Sequence, residues 1–171
     1  MNALTLSNLS FFALMITSAS LTIKQPAAAL KFSTADQYAI RKIIEDETTA
    51  YFNRDSTRLI SFYIDEDVTQ SVWNSPDGSY GMYKGLKSMR KNFHDAFIKY
   101  PDIQPQPNIE RTDWFFKPFS DEWAWVNFIQ KTAGRDGKQF TNYETRVVKK
   151  VNNSWKLVVM YSLGDHGVKS K

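Results

Sequence analysis

The chain of 171 residues has no cysteine and two histidines. Without cysteine there is no disulfide framework, no thiol nucleophile and no zinc ribbon. His94 and His166 stand far apart, outside any HExxH-type or His-rich spacing, so the pattern offers no multi-histidine metal site. Long runs of one charge are missing as well. The 22 Lys and Arg are scattered among 18 acids, and no basic run exceeds a pair such as Lys149 and Lys150. That is a solvated surface rather than a nucleic-acid footprint, and the aromatics do not interleave with arginine as a single-strand platform requires. What the chain has is aromatic rings, 15% of its residues, and the length of one domain. Such a domain buries about two thirds of its unfolded surface and needs no bridge or metal to hold a core.

Residues 1–29 differ from the rest, with one charged side chain, Lys24, and no acid. The apolar run at residues 9–16 is too short to span a bilayer and has the length of a signal-peptide core, with cleavage after Ala29 or near Ser20. Residues 1–10 carry no Lys or Arg, which fits a disordered leader instead. Export leaves a domain in a periplasm or outside the cell, with no lipid-anchoring cysteine and no membrane segment after processing.

Ser33, Thr34 and Gln37 offer an N-cap and capping box for a helix over residues 35–53, whose stripe is Ile40, Ile44, Glu47 and Tyr51. Asp55 caps a second helix over 56–63. A strand over 68–73 leads into the turn signals Asn74, Pro76, Asp77 and Gly78. A third helix spans about 86–99, with Leu86, Met89, Phe93 and Phe97 on its buried stripe, and Pro101, Pro105 and Pro107 close it. Four strands follow, over 109–119, 123–132, 140–151 and 155–163. Helices first and a meander afterwards make an α+β pattern.

Two-residue turns at Asn152-Asn153 and Asp136-Gly137 would set Glu144 opposite Tyr161, and Arg146 opposite both Val159 and Asn127. One face then carries Trp125, Asn127, Glu144, Arg146, Trp155 and Tyr161, and the other Val126, Phe128, Tyr143, Val147, Val158 and Met160. Both are largely apolar. Helices can cover only one, so the second face is expected to meet another copy of the chain in a homodimer.

With the elements in this order, residues 40–55, Met82-Tyr83-Lys84-Gly85, Glu122-Trp123-Ala124-Trp125-Val126, and Glu144-Thr145-Arg146 through Trp155-Lys156-Leu157 resemble the SnoaL-like branch of the nuclear-transport-factor-2-like superfamily, over about residues 35–163. The resemblance implies three N-terminal helices packed on a curved, mainly antiparallel sheet, cone-shaped, with an interior cavity. It divides the chain into a leader (1–29), one SnoaL-like domain (33–165) and a flexible tail (166–171). Such domains include ketosteroid isomerase, polyketide cyclases, scytalone dehydratase and limonene epoxide hydrolase, alongside nonenzymatic binding domains, so the fold alone does not name a function. In the isomerase, a tyrosine on the first helix and an acid on a late strand hold an oxyanion while an aspartate on the first strand moves the proton. Those positions fall here on Glu47, near Arg146, and on Ser71 or Val72, none of the required type. The histidine pair of some SnoaL-like last strands is replaced by Val159 and Tyr161.

Glu47, a carboxylate inside an apolar stripe, is either a tuned general acid or base or the structural partner of Arg146. Asn127, Glu144, Arg146 and Tyr161 form either a grip for a carboxylate or enolate in a pocket walled by Trp125 and Trp155, or a satisfied polar cluster. Tyr51 belongs to the helix stripe beside that pocket. His94 is a proton carrier at the cavity mouth or a boundary residue of its helix. Trp73, Tyr80 and Tyr83 form a lid or pack an edge. Two functions fit: binding of a small, mainly apolar ligand with a carbonyl or carboxylate group, or cofactor-independent lyase, isomerase or hydrolase chemistry with Glu47 or Glu144 as base. Neither calls for a cofactor.

Overall fold

Ser33 starts the first helix by accepting a hydrogen bond from the Asp36 amide, and its hydroxyl donates back to the Asp36 carboxylate. The acidic member of this cap is therefore Asp36, one residue before the expected Gln37. The computed structural model describes residues 32–75, 77–106, 108–133 and 138–165. The leader, Pro76, Pro107, the expected turn at 134–137 and the tail with His166 lie outside the described residues.

Helix α1 (Thr34–Phe52) is followed by α2 (Ser56–Ser61), whose N-cap is Asp55, and the chain then runs through β1 (Gln70–Asn74), β2 (Tyr80–Lys84), α3 (Leu86–Lys99), β3 (Glu110–Pro118), β4 (Trp123–Ala133), β5 (Gln139–Val151) and β6 (Ser154–Gly164). Two helices thus precede the first strand, and the third lies between strands. Residues 80–84, read above as part of a lid or edge, form a strand paired with β1. The α2 helix stops before Tyr63, which makes a parallel bridge to Leu157. Gly85 turns from β2 into α3 at φ 76°, a conformation that disfavours any side chain.

The six strands form one curved mixed sheet in the order β2-β1-β6-β5-β4-β3, parallel only between β1 and β6. The helices cover its concave face. Ile40, Ile44, Leu59, Ile60, Met89, Phe93 and Phe97 pack there against Ala124, Val126, Phe128, Val148, Trp155 and Leu157. Burying each larger aliphatic or aromatic side chain stabilises the fold by roughly 1.5–3 kcal/mol.

Two departures from the expected strand pairing decide which residues face the helices. The Asn152-Asn153 turn forms with both residues at positive φ and pairs Val151 with Ser154, but Val158 is then an extra residue in β6. Beyond it Arg146 pairs with Met160 and Glu144 with Ser162. In the other hairpin Ala133 pairs with Gln139, leaving five residues between them, and Arg146 pairs with Val126 instead of Asn127. Each one-residue offset turns a strand over, because successive side chains alternate faces.

Candidate functional site

A pocket of about 610 Å³ lies between the helices and the concave sheet face. The α1 helix supplies Glu47, Thr48 and Tyr51 to its wall, β1 supplies Ser71 and Trp73, and α3 supplies Phe93 and Phe97. Across from them stand Glu144 and Arg146 on β5 and Met160 and Ser162 on β6. Glycine at position 81 admits the Trp73 indole, since a Cβ there would overlap the ring.

The closed end is ionic. Arg146, 3% exposed, donates from Nη1 to Glu144 Oε2 at 2.7 Å, and its Nη2 lies 3.9 Å from Glu47 Oε2. The Ser162 hydroxyl donates to Glu144 Oε1 at 2.7 Å, so both oxygens of Glu144 are engaged. Glu47 is held differently: the Tyr63 hydroxyl donates to Oε1 at 2.9 Å, and among the described residues Oε2 has only the distant guanidinium. Burial raises the Glu47 carboxyl above its ordinary value, while Arg146 and the Tyr63 hydrogen bond pull it back. Burial also raises the Tyr63 phenol, with Glu47 adding to the effect. At Arg146 burial opposes the charge, but Glu144 and Glu47 outweigh it and keep the guanidinium protonated. Arg146 Nε finds no hydrogen-bond partner among the described residues. A second guanidinium, Arg111, donates from Nε to Gln130 at 2.9 Å, and its charge is felt by the same carboxylates.

Of the residues singled out from sequence, Glu47, Tyr51, Trp73, Tyr83, Glu144 and Arg146 line this pocket. The others stand elsewhere. Trp125 is turned to the convex face by the β4 pairing and meets Phe115 edge to face. Asn127 shares that face, accepting from the Thr145 hydroxyl at 3.0 Å. Tyr161 is carried there by the extra residue in β6, and Ser162 takes its place beside Glu144. Trp155 is buried against Phe32 and donates to Asp36, away from the pocket lining. His94 is exposed on α3 because it lies off the stripe of Leu86, Met89, Phe93 and Phe97. The expected dimer face changes in the same way: Val126 and Phe128 are core, Met160 packs against the core, and Val158 is buried. Tyr63 and Ser162 went unrecognised as parts of the site. The apolar run Leu157 to Tyr161 is unbroken, so nothing in the sequence marks the bulge that admits Ser162.

Among the described residues no group of three or more His, Cys, Asp or Glu gathers at metal-binding distance, and no helix is long and apolar enough to cross a membrane. No protein-family profile matches the chain. No curated protein matches it in sequence. Solved structures do match in shape. A cystatin-like-fold protein of unknown function from Nostoc punctiforme superposes with a TM-score of 0.60 at 12% identity, over 80% of this chain and 96% of that one. The chain has the nuclear-transport-factor-2-like fold. An NTF-2 like protein of unknown function from Shewanella oneidensis (TM-score 0.57, 17% identity, 75% of this chain and 98% of that one) shares it. So does a ketosteroid isomerase-like protein from Erwinia carotovora atroseptica (TM-score 0.54, 16% identity, 77% and 98%). Within this nuclear-transport-factor-2-like domain, three of the positions compared with the isomerase, Glu47, Ser71 and Arg146, converge on the pocket, whereas Val72 pairs with Tyr161 at the outward positions.

Proposed function

We propose that this is a SnoaL-like small-molecule-binding domain whose pocket takes a mainly apolar ligand with a carbonyl or carboxylate group. One observation carries the reading: a buried guanidinium and a buried carboxylate, Arg146 and Glu47, both line an aromatic-walled pocket of about 610 Å³. The test is titration with decan-2-one and with decanoic acid, followed by tryptophan fluorescence, to which Trp73 in the pocket wall contributes. Saturable binding of at least one is expected, weakened tenfold or more in Arg146→Lys, which keeps the charge and loses the planar fork. Absence of any saturable response to either, with no small molecule released on denaturing extraction, would sink the reading.

A second reading has its own support. Glu47 has one oxygen without a close partner and a carboxyl raised by burial, the state of a general acid or base. Glu144, engaged through both oxygens, serves better to position Arg146 than to move protons. If a substrate is found, Glu47→Gln is expected to abolish turnover while leaving binding intact. Export of the domain, with residues 1–29 as leader, belongs to the same proposal and is tested by cell fractionation and the N-terminal mass of the mature protein.

A further inference from the structure

We infer that the pocket is two-ended, taking a neutral oxygen at its closed end and an anionic group at Arg54 on its rim. The inference rests on the reading of the pocket as a ligand site and narrows the ligand to amphipathic acids with a hydroxyl or carbonyl far from the acid group.

The closed end argues against a charge of either sign. Glu47 and Glu144 are balanced there by Arg146 and, from behind, by Arg111. A ligand carboxylate would be a third anion around one buried, already paired guanidinium, and a ligand ammonium would likewise lack its own counter-ion. A neutral group is suited. A hydroxyl can donate to Glu47 Oε2, which accepts no hydrogen bond from the described residues.

The rim differs. Arg54 lines the pocket and is only half-buried. Its guanidinium lies 5.3 Å from the Tyr51 ring centre and 5.2 Å from that of Phe97, and it donates only to backbone carbonyls, from Nε to Asp102 and from Nη1 to Tyr51. No described carboxylate lies within ion-pair distance of it, and the carboxylate of adjacent Asp55 is engaged by the Arg58 amide. Two rings and two carbonyls fix the group and leave Nη2 to a ligand. Lys99, over the rim residue Tyr100 at 5.2 Å, adds a second cation near the same opening. Between the two ends run Tyr51, Trp73, Phe93 and Phe97, an apolar passage for the body of such a molecule.

The test is calorimetric titration near pH 7 with 10-hydroxydecanoic acid, its methyl ester and decanedioic acid, on the full domain and on Arg54→Asn. Asparagine tolerates the positive φ of 59° at this position. The hydroxy acid is expected to bind at least tenfold tighter than either the ester or the diacid. Its advantage over the ester should vanish in Arg54→Asn and return in Arg54→Lys. A diacid that binds as well as the hydroxy acid, or an acid-to-ester ratio indifferent to Arg54, would overturn the two-ended pocket while leaving the ligand-site reading intact. Failure of all three molecules to bind the wild-type domain would overturn both.

Discussion

Glu47 and Asp36 stand on one helix and respond to pH with opposite signs. Glu47 is buried, and its carboxyl is raised in the folded protein relative to 4.5. The stability it contributes is therefore complete below the unfolded value and is lost as pH rises through the folded one. Glu47→Gln does not titrate and keeps an acceptor for Tyr63. Its unfolding free energy is expected to gain on the wild type as pH rises above 4.5, read from urea melts at several pH values. A difference that stays flat would show that Arg146 holds Glu47 as a carboxylate throughout. Asp36 is lowered to about 2, by Lys150 first, then by Ser33 and Trp155. Its contribution is present above 3.8 and lost as pH falls through about 2. Asp36→Asn should cost about 1–2 kcal/mol at neutral pH, less than the full shift implies because the group is partly solvated, and the loss should shrink toward pH 2.

At the scale of elements, the β5-β6 hairpin rests on Asn152 and Asn153, at φ 50° and 60°. Left-handed backbone costs most side chains about 1–2 kcal/mol and glycine little. Asn153→Ala is expected to lower stability by about 1 kcal/mol, and Asn153→Gly to leave it nearly unchanged, by chemical denaturation. The Asn-Asn pair made this turn legible in the sequence, as Ser33, Asp55 and the Leu86-Met89-Phe93-Phe97 stripe did for the helix starts and the α3 core face. The faces of the strands were not legible. On β4 both alternating sets are apolar, Trp123, Trp125 and Ile129 against Ala124, Val126 and Phe128, so hydrophobicity could not say which set lies under the helices. The smaller set went inward, where Phe128 stacks on Trp114. On β6 five consecutive apolar residues, Leu157 to Tyr161, concealed the bulge. Glu47, Tyr51 and Arg146 were recoverable because a charge in an apolar stripe, or a neighbour of one, stands out whichever way a neighbouring strand is turned.

For the whole molecule, the face turned away from the helices carries Phe115, Trp125, Ile129, Tyr143, Val147, Val159 and Tyr161, with Phe115 and Tyr143 at least half exposed. The neutral Asn127 and Thr145 sit among them. We propose a second copy of the chain as its cover, since a face of this chemistry is self-complementary about a two-fold axis. Sedimentation velocity is expected to give a dimer for the wild type and a monomer for Tyr143→Lys with unaltered far-ultraviolet dichroism; a wild-type monomer at tens of micromolar would refute it. The extra residue at Val158 reaches further than this pairing. Were Val158 drawn into the ladder opposite Val147, Val159 and Tyr161 would come round to the cavity and Met160 and Ser162 would turn outward, exchanging two walls at once with no substitution at any wall position. On such a scaffold, forming or absorbing a bulge inside a strand is a route to new pocket chemistry that the outline of the fold would not record.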